Sequence, residues 1–193
     1  MQNHCEHEPV DFGGPLVGID PGSTITTIVL LSGSEDRPWL VKRLGVRYGA
    51  TSCTRFAGYA AMVSGVMRVL NQAPVPQMVA IEGYTGKSGL RTTAEAIEIG
   101  ALLREKILAH RWRLIEAPTS AIRAFVTGNC KANVGDMMHA LDTLYPNSVS
   151  GGRLGPYATA YALAQMARCA VHPSAYGEQQ YQVIFETEML ATF

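Results

Sequence analysis

Val17-Gly18-Ile19-Asp20-Pro21-Gly22-Ser23 runs from an apolar stretch into a carboxylate and then breaks at Pro-Gly. The flanking sequence, Leu16 to Leu31, reads as strand, tight turn, strand, because β-branched residues crowd both sides of the bend. Ser32-Gly33-Ser34 begins another turn, and Trp39 to Val46 is expected as a third strand. Three such runs in succession predict an antiparallel meander at the start of a sheet.

Downstream the period changes. Thr54 to Asn71 carries Phe56, Tyr59, Ala60, Val63, Val66, Met67 and Leu70 at steps of three and four, the spacing of a helix. Gln77 to Glu82 is a short apolar strand that also ends in a carboxylate. Thr92 to His110 reads as a second helix and Arg113 to Glu116 as another strand. Further helices are expected from Pro118 to Val126, Val134 to Leu144 and Pro156 to Ala170. Alternating strands and helices predict an α/β sheet with helices packed on it. The tail from Ser174 to Phe193 has no clear partner pattern, and Tyr181 to Phe185 is its candidate edge strand or dimer arm.

A chain of 193 residues suits one domain. With 47% hydrophobic and 17% charged residues it should fold rather than stay disordered. Sixteen basic and sixteen acidic residues give a formal net charge of zero, which excludes coating of nucleic acid by bulk charge. Any DNA contact needs a local basic face. The four cysteines (Cys5, Cys53, Cys130 and Cys169) form no CxxC pair, so a zinc ribbon or thioredoxin-like motif is not expected. His4, Cys5 and His7 offer metal-binding atoms, but a loose terminus is the favoured reading of that segment. Met1 to Gly14 lacks the layout of a signal peptide, and no apolar run reaches the roughly 18 residues of a membrane span. A soluble, cytoplasmic or otherwise intracellular protein with reduced cysteines is the expectation. The expected organisation is a flexible tail over residues 1–14, one domain over 15–172 and a C-terminal extension over 173–193.

Asp20 and Glu82 stand out because each ends an apolar strand, and sites lie at the rim of a sheet. Two carboxylates from neighbouring strands can share a hard cation, since Mg²⁺ takes oxygen ligands and often only one or two carboxylates. Taken singly, each acid could simply cap its strand or pair with a basic side chain.

The surrounding motifs weigh against that plain reading. Val17-Gly18-Ile19-Asp20-Pro21-Gly22-Ser23 resembles the opening motif of the RuvC family of Holliday-junction resolvases. Val79-Ala80-Ile81-Glu82-Gly83 is similar to that family's second acidic strand. Ala117-Pro118-Thr119-Ser120, Phe125-Val126-Thr127-Gly128, and the run from Pro156 to Ala164 follow in the family's order. The resemblance spans about Leu16 to Ala170. It implies an RNase H-like mixed sheet, a three-strand antiparallel meander plus parallel strands, flanked by helices. It also implies a protein, often dimeric, that binds branched DNA and cuts it with two Mg²⁺ ions held by four acids. Asp20 and Glu82 match the first two acids.

The last helix departs from the family pattern. Its two acids, three residues apart on one helix face, align with Pro156 and Thr159, or with Ala158 and Tyr161 if the register slips by two. Neither register supplies a carboxylate. The family's lysine after the Thr-Gly motif aligns with Val134, and Lys131 lies three residues away as its candidate substitute. Two Mg²⁺ ions carry a charge of four, of which Asp20 and Glu82 balance half. A threonine hydroxyl is a poor replacement for an anionic ligand. The expectation is therefore a pseudo-nuclease that keeps at most one weakly held Mg²⁺ or Mn²⁺ ion. Asp136, Asp142 and Glu98 are the acids that could swing in as replacements.

The candidate DNA-binding residues are Tyr84, Lys87, Arg91, Arg123 and Lys131. Lys87-Ser88-Gly89-Leu90-Arg91 can bring amides and cations to phosphates, and Tyr84 can stack on an exposed base. Arg104, Lys106, Arg111 and Arg113 read as a solvated helix face and its exit. The leading functional expectation is a homodimeric binder or scaffold of DNA junctions with nuclease activity lost or strongly impaired. The alternatives are an active metal-dependent junction endonuclease with unusual ligands and a structural subunit that binds a protein partner instead of DNA. A nucleotide-binding module is disfavoured, because the actin-like folds that share a similar phosphate loop need two such domains.

Overall fold

A computed structural model describes residues 14–33, 35–45, 51–83, 91–146, 157–187 and 189–190. β1 (Leu16–Pro21) and β2 (Ile25–Leu31) form a hairpin whose bend is closed by the Gly22 amide donating to the Ile25 carbonyl at 3.1 Å. β3 (Leu40–Gly45) continues the meander antiparallel to β2. β4 (Met78–Gly83) then pairs with β1 in parallel, and β5 (Leu114–Pro118) pairs with β4 in parallel. A short β6 (Met189–Leu190) closes the far edge antiparallel to β5, giving the order β3-β2-β1-β4-β5-β6. The meander and the parallel strands are those expected from the sequence.

Among the described residues, six α-helices cover the two faces: α1 (Ser52–Asn71), α2 (Arg91–Ala109), α3 (Thr119–Thr127), α4 (Val134–Leu144), α5 (Ala158–Val171) and α6 (Glu178–Glu186). Strand alternation sorts the core. Val17, Ile19, Ile28, Leu30, Val79 and Ile81 point to α1 and α2, while Leu16, Val29, Leu31, Met78 and Ala80 point to α5 and its neighbours. Local chemistry sets several helix ends. Thr51 and Thr54 form a reciprocal capping box at α1, as do Asn133 and Asp136 at α4. Gly128 ends α3 with φ 74°, the left-handed conformation glycine adopts without penalty.

α5 lies directly on β1. A Cβ at Gly18 would collide with the Ala160 carbonyl oxygen and the Ala164 amide nitrogen, so only glycine permits this approach. At the other end of α5, Arg168 pairs with Asp36 and donates to the Gly33 carbonyl. Those two residues follow β2, whose last residue, Leu31, sits opposite Leu16. α5 therefore runs against β1, with its first turn toward the Asp20 end of the sheet.

The tail differs from expectation. Tyr181 to Phe185 is helical, within α6, and the edge strand is formed instead by Met189–Leu190. Strand alternation is missing there, and Ile184 is buried against the α5 face, with Val183 packed beside it. The N-terminal segment with His4, Cys5 and His7 lies outside the described residues.

Candidate functional site

In the parallel register of β1 and β4, Ile19 sits opposite Ile81, so Asp20 and Glu82 follow side by side at the strand ends. Alternation turns both toward the α5 face, in line with Leu16 and Gly18 on one strand and Met78 and Ala80 on the other. Asp20 is half-buried and Glu82 is 8% exposed. The two carboxyl groups share a hydrogen bond, and burial, then the charge of Glu82, pushes the Asp20 pKa up to about 7. Two like charges this close do not both ionise readily, so the pair retains a proton near neutral pH.

A third residue completes the arrangement. Thr119, the first residue of α3, donates its hydroxyl to Glu82 Oε1 at 2.6 Å. α3 starts there because Pro118 ends β5 opposite Gly83 and holds an extended ψ of 153° before the helix turns. On the other side, Thr27 of β2 is paired opposite Asp20 and is buried on the same face. The site is thus a pair of carboxylates ringed by neutral hydroxyls at the carboxyl ends of parallel strands.

The first turn of α5 brings no further acid. Thr159 is half-buried there, Ala158 is buried, and Tyr161 donates its hydroxyl to the Asp36 carbonyl at 2.7 Å. Pro156 lies outside the described residues. Among the described residues no group of three or more His, Cys, Asp or Glu side chains could hold a metal. Asp136 is exposed and serves the capping box of α4, and Asp142 is exposed on the same helix. Glu98 is on α2, across the sheet, where its carboxylate faces the Tyr59 hydroxyl. Glu116 also points to that other face and pairs with Arg104 at 2.9 Å.

The candidate basic residues separate. Arg123 is partly exposed one turn along α3 from Thr119 and makes no ion pair among the described residues. Lys131 is exposed beyond the far end of α3, where its amide donates to Asn129 Oδ1. Arg91 begins α2, and Tyr84 and Lys87, in the segment between β4 and α2, lie outside the described residues. Of the expected solvated cations, Arg104 is instead paired and only 21% exposed at its side chain. Thr119 was not singled out from the sequence, although Ala117-Pro118-Thr119 after an apolar strand places a hydroxyl at a helix start.

No protein-family model matches the chain, and no curated protein matches it. Solved structures do. The structure of Thermus thermophilus RuvC matches with a TM-score of 0.62 at 14% identity, over 90% of this chain and 98% of that one. The fold is RuvC-like. T. thermophilus RuvC in complex with a Holliday junction substrate gives the same TM-score and identity over 92% and 99%. The yeast mitochondrial Holliday junction resolvase Ydc2 matches with a TM-score of 0.49 at 10% identity, over 87% and 78%. The RuvC-like architecture, an RNase H-like α/β sheet with its meander first, is therefore as the sequence motifs implied. No helix among the described residues is long and apolar enough to cross a membrane.

Proposed function

We propose that this protein binds branched DNA of the four-way-junction kind, as an intracellular homodimer, with nuclease chemistry lost or strongly impaired. Binding is supported by the RuvC-like fold together with the motifs from Val17 to Ala164. Loss of cleavage is supported by one observation above all: among the described residues, Asp20 and Glu82 meet with hydroxyls, and no other carboxylate, around them.

The donor set fits one hard divalent cation. Asp20 and Glu82 would hold it, and a Mg²⁺ or Mn²⁺ ion there would supply an electrostatic bridge to a phosphate oxygen. Binding must displace the proton held between the carboxyl groups, so such an ion is held weakly below about pH 7. For two ions the described residues do not fit, because the pair offers two negative charges at most against four positive ones. Arg123, Lys131, Arg91, Lys87 and Tyr84 are the residues assigned to DNA, the cations to phosphates and Tyr84 to a base.

A gel-shift comparison of a four-way junction with a linear duplex of equal length tests the binding. A preference of tenfold or more for the junction, weakened by Arg123→Ala, is expected. Equal affinity overturns junction recognition, and no affinity for either favours a protein-binding subunit. Incubation of the junction with Mg²⁺ or Mn²⁺ tests the rest. Nicking that vanishes in Asp20→Asn overturns the loss of cleavage and establishes an endonuclease with non-standard ligands.

A further inference from the structure

The neutral total charge of the chain conceals a strong separation. Between residues 37 and 81 the sequence holds Arg37, Lys42, Arg43, Arg47, Arg55 and Arg68 and no aspartate or glutamate. This stretch supplies β3 and α1, which lie together on one side of the molecule: β3 is the open edge of the sheet, and α1 packs on the face opposite α5. Asp36, the nearest acid before it, is already paired with Arg168. Among the described residues, Arg37, Lys42, Arg43 and Arg68 are exposed and make no ion pair.

An aromatic ring stands within this charge. Trp39 is 51% exposed, and its amide donates to the Leu30 carbonyl at 3.1 Å, which fixes the backbone at the start of the edge strand. Its side chain lines a groove with Leu40 and Lys42 of β3 and Val69, Gln72 and Ala73 at the end of α1. Arg68 precedes Val69 on that helix. A large exposed ring in a groove with a lysine, bordered by further unpaired cations, is the composition of a surface that stacks a base and neutralises the phosphates beside it. An acidic peptide would use the cations without needing the ring. The groove is on the other face of the sheet from Asp20 and Glu82 and at its other end, since Leu30 lies opposite Val17 near the start of β1.

We propose that the groove between β3 and the end of α1 binds an unpaired stretch of nucleic acid, with a base stacked on Trp39 and phosphates on Lys42 and Arg68. This surface is separate from the one assigned to the junction and does not depend on it. A protein with both would hold a duplex branch on one face and a single-stranded segment on the other.

The chain has only two tryptophans, and the second, Trp112, is 8% exposed, so Trp39 dominates any quenching by a ligand at the surface. Titration of the full chain with an oligo(dT) of twelve nucleotides, followed by tryptophan fluorescence, is the test. Salt-dependent quenching is expected, and it should be lost in Trp39→Phe. Lys42→Glu combined with Arg68→Glu should weaken binding about tenfold or more. Removing two phosphate contacts should also flatten the slope of log affinity against log salt by about 1.4. Both variants change exposed side chains, and their melting temperatures serve as the control on folding. Absence of quenching in the wild-type chain, or quenching unaltered by the double charge reversal, overturns the proposal. Quenching by polyglutamate but not by oligo(dT) overturns it in favour of an acidic protein partner. Junction gel shifts on the same double variant keep the two readings apart, because they should be unchanged when only this groove is altered.

Discussion

The hydroxyl of Thr119 and the carboxylate of Glu82 are hydrogen-bonded at 2.6 Å although 37 positions separate them in the chain. The bond ties the start of α3 to the end of β4 and gives one oxygen of the carboxylate pair a fixed donor. The carboxylate it holds lies beside Asp20, whose pKa burial and the charge of Glu82 push up to about 7.

Thr119→Val removes that donor and leaves a buried carboxylate oxygen short of a partner. We expect a loss of about 1.5–3 kcal/mol, as for other hydrogen bonds to charged groups, in urea unfolding at pH 8. The carboxyl pair should also titrate at higher pH, which NMR of the carboxyl carbons can follow. Thr119→Ser should restore both readouts, and a serine variant that behaves like valine would contradict the assignment.

Asp20→Asn addresses the pair's proton. The folded pKa of Asp20, about 7, is above its ordinary 3.8, so the folded state holds more protons than the unfolded state between those values. Stability should therefore fall as pH rises from about 4 to about 7 and stay level above that. The asparagine variant lacks this fall. Its melting temperature should exceed the wild type's at pH 8, by about 2–4 °C for each 1 kcal/mol of repulsion removed, with the gap closing toward pH 4. Equal melting temperatures at pH 8 would count against a protonated pair.

Gly18→Ala puts a methyl group into the backbone of α5 at Ala160 and Ala164. The helix must lift from β1, at a cost of about 3 kcal/mol. Thermal unfolding should show a drop of roughly 6–12 °C, or the variant should fail to accumulate as folded protein. A wild-type melting temperature would mean that α5 sits farther from the strand than described.

Tyr176→Phe tests the polar network under α5. Tyr176 donates to Gln165 Oε1, Gln165 Nε2 donates to the Tyr161 hydroxyl at 2.8 Å, and Gln165 is fully buried. Losing the phenol should cost about 1–3 kcal/mol by leaving the amide oxygen unpaired. Tyr176→Phe combined with Gln165→Leu should cost less than the two single changes added together, because the orphaned oxygen is gone. Additive losses in urea titrations would argue that the two side chains do not communicate.

Much of this was legible in the sequence, for local reasons. β-branched runs around Pro21-Gly22 announced the hairpin, and carboxylates ending two apolar runs marked Asp20 and Glu82. The period of three and four in α1 was equally plain. What was hidden depends on contacts through space. α6 is hard to read because, among its described side chains, Val183 and Ile184 meet the core, and two adjacent positions imprint no helical period. Thr119 resembled any other helix-start hydroxyl until the parallel pairing of β4 with β5 brought Glu82 beside it. Arg104 looked like a solvent cation because nothing local revealed Glu116 waiting on the neighbouring strand.

The acid-free run through β3 and α1 has a kinetic consequence. With six cations there and a total of zero, the rest of the chain must carry a net charge of minus six, so charge is divided unevenly along the sequence. A polyanion exerts almost no net pull on such a chain at long range, yet at short range it attracts the exposed cations of β3 and α1. The protein would turn before it lands, presenting the Trp39 side first, and added salt would randomise that first orientation well before it dissolved the finished complex.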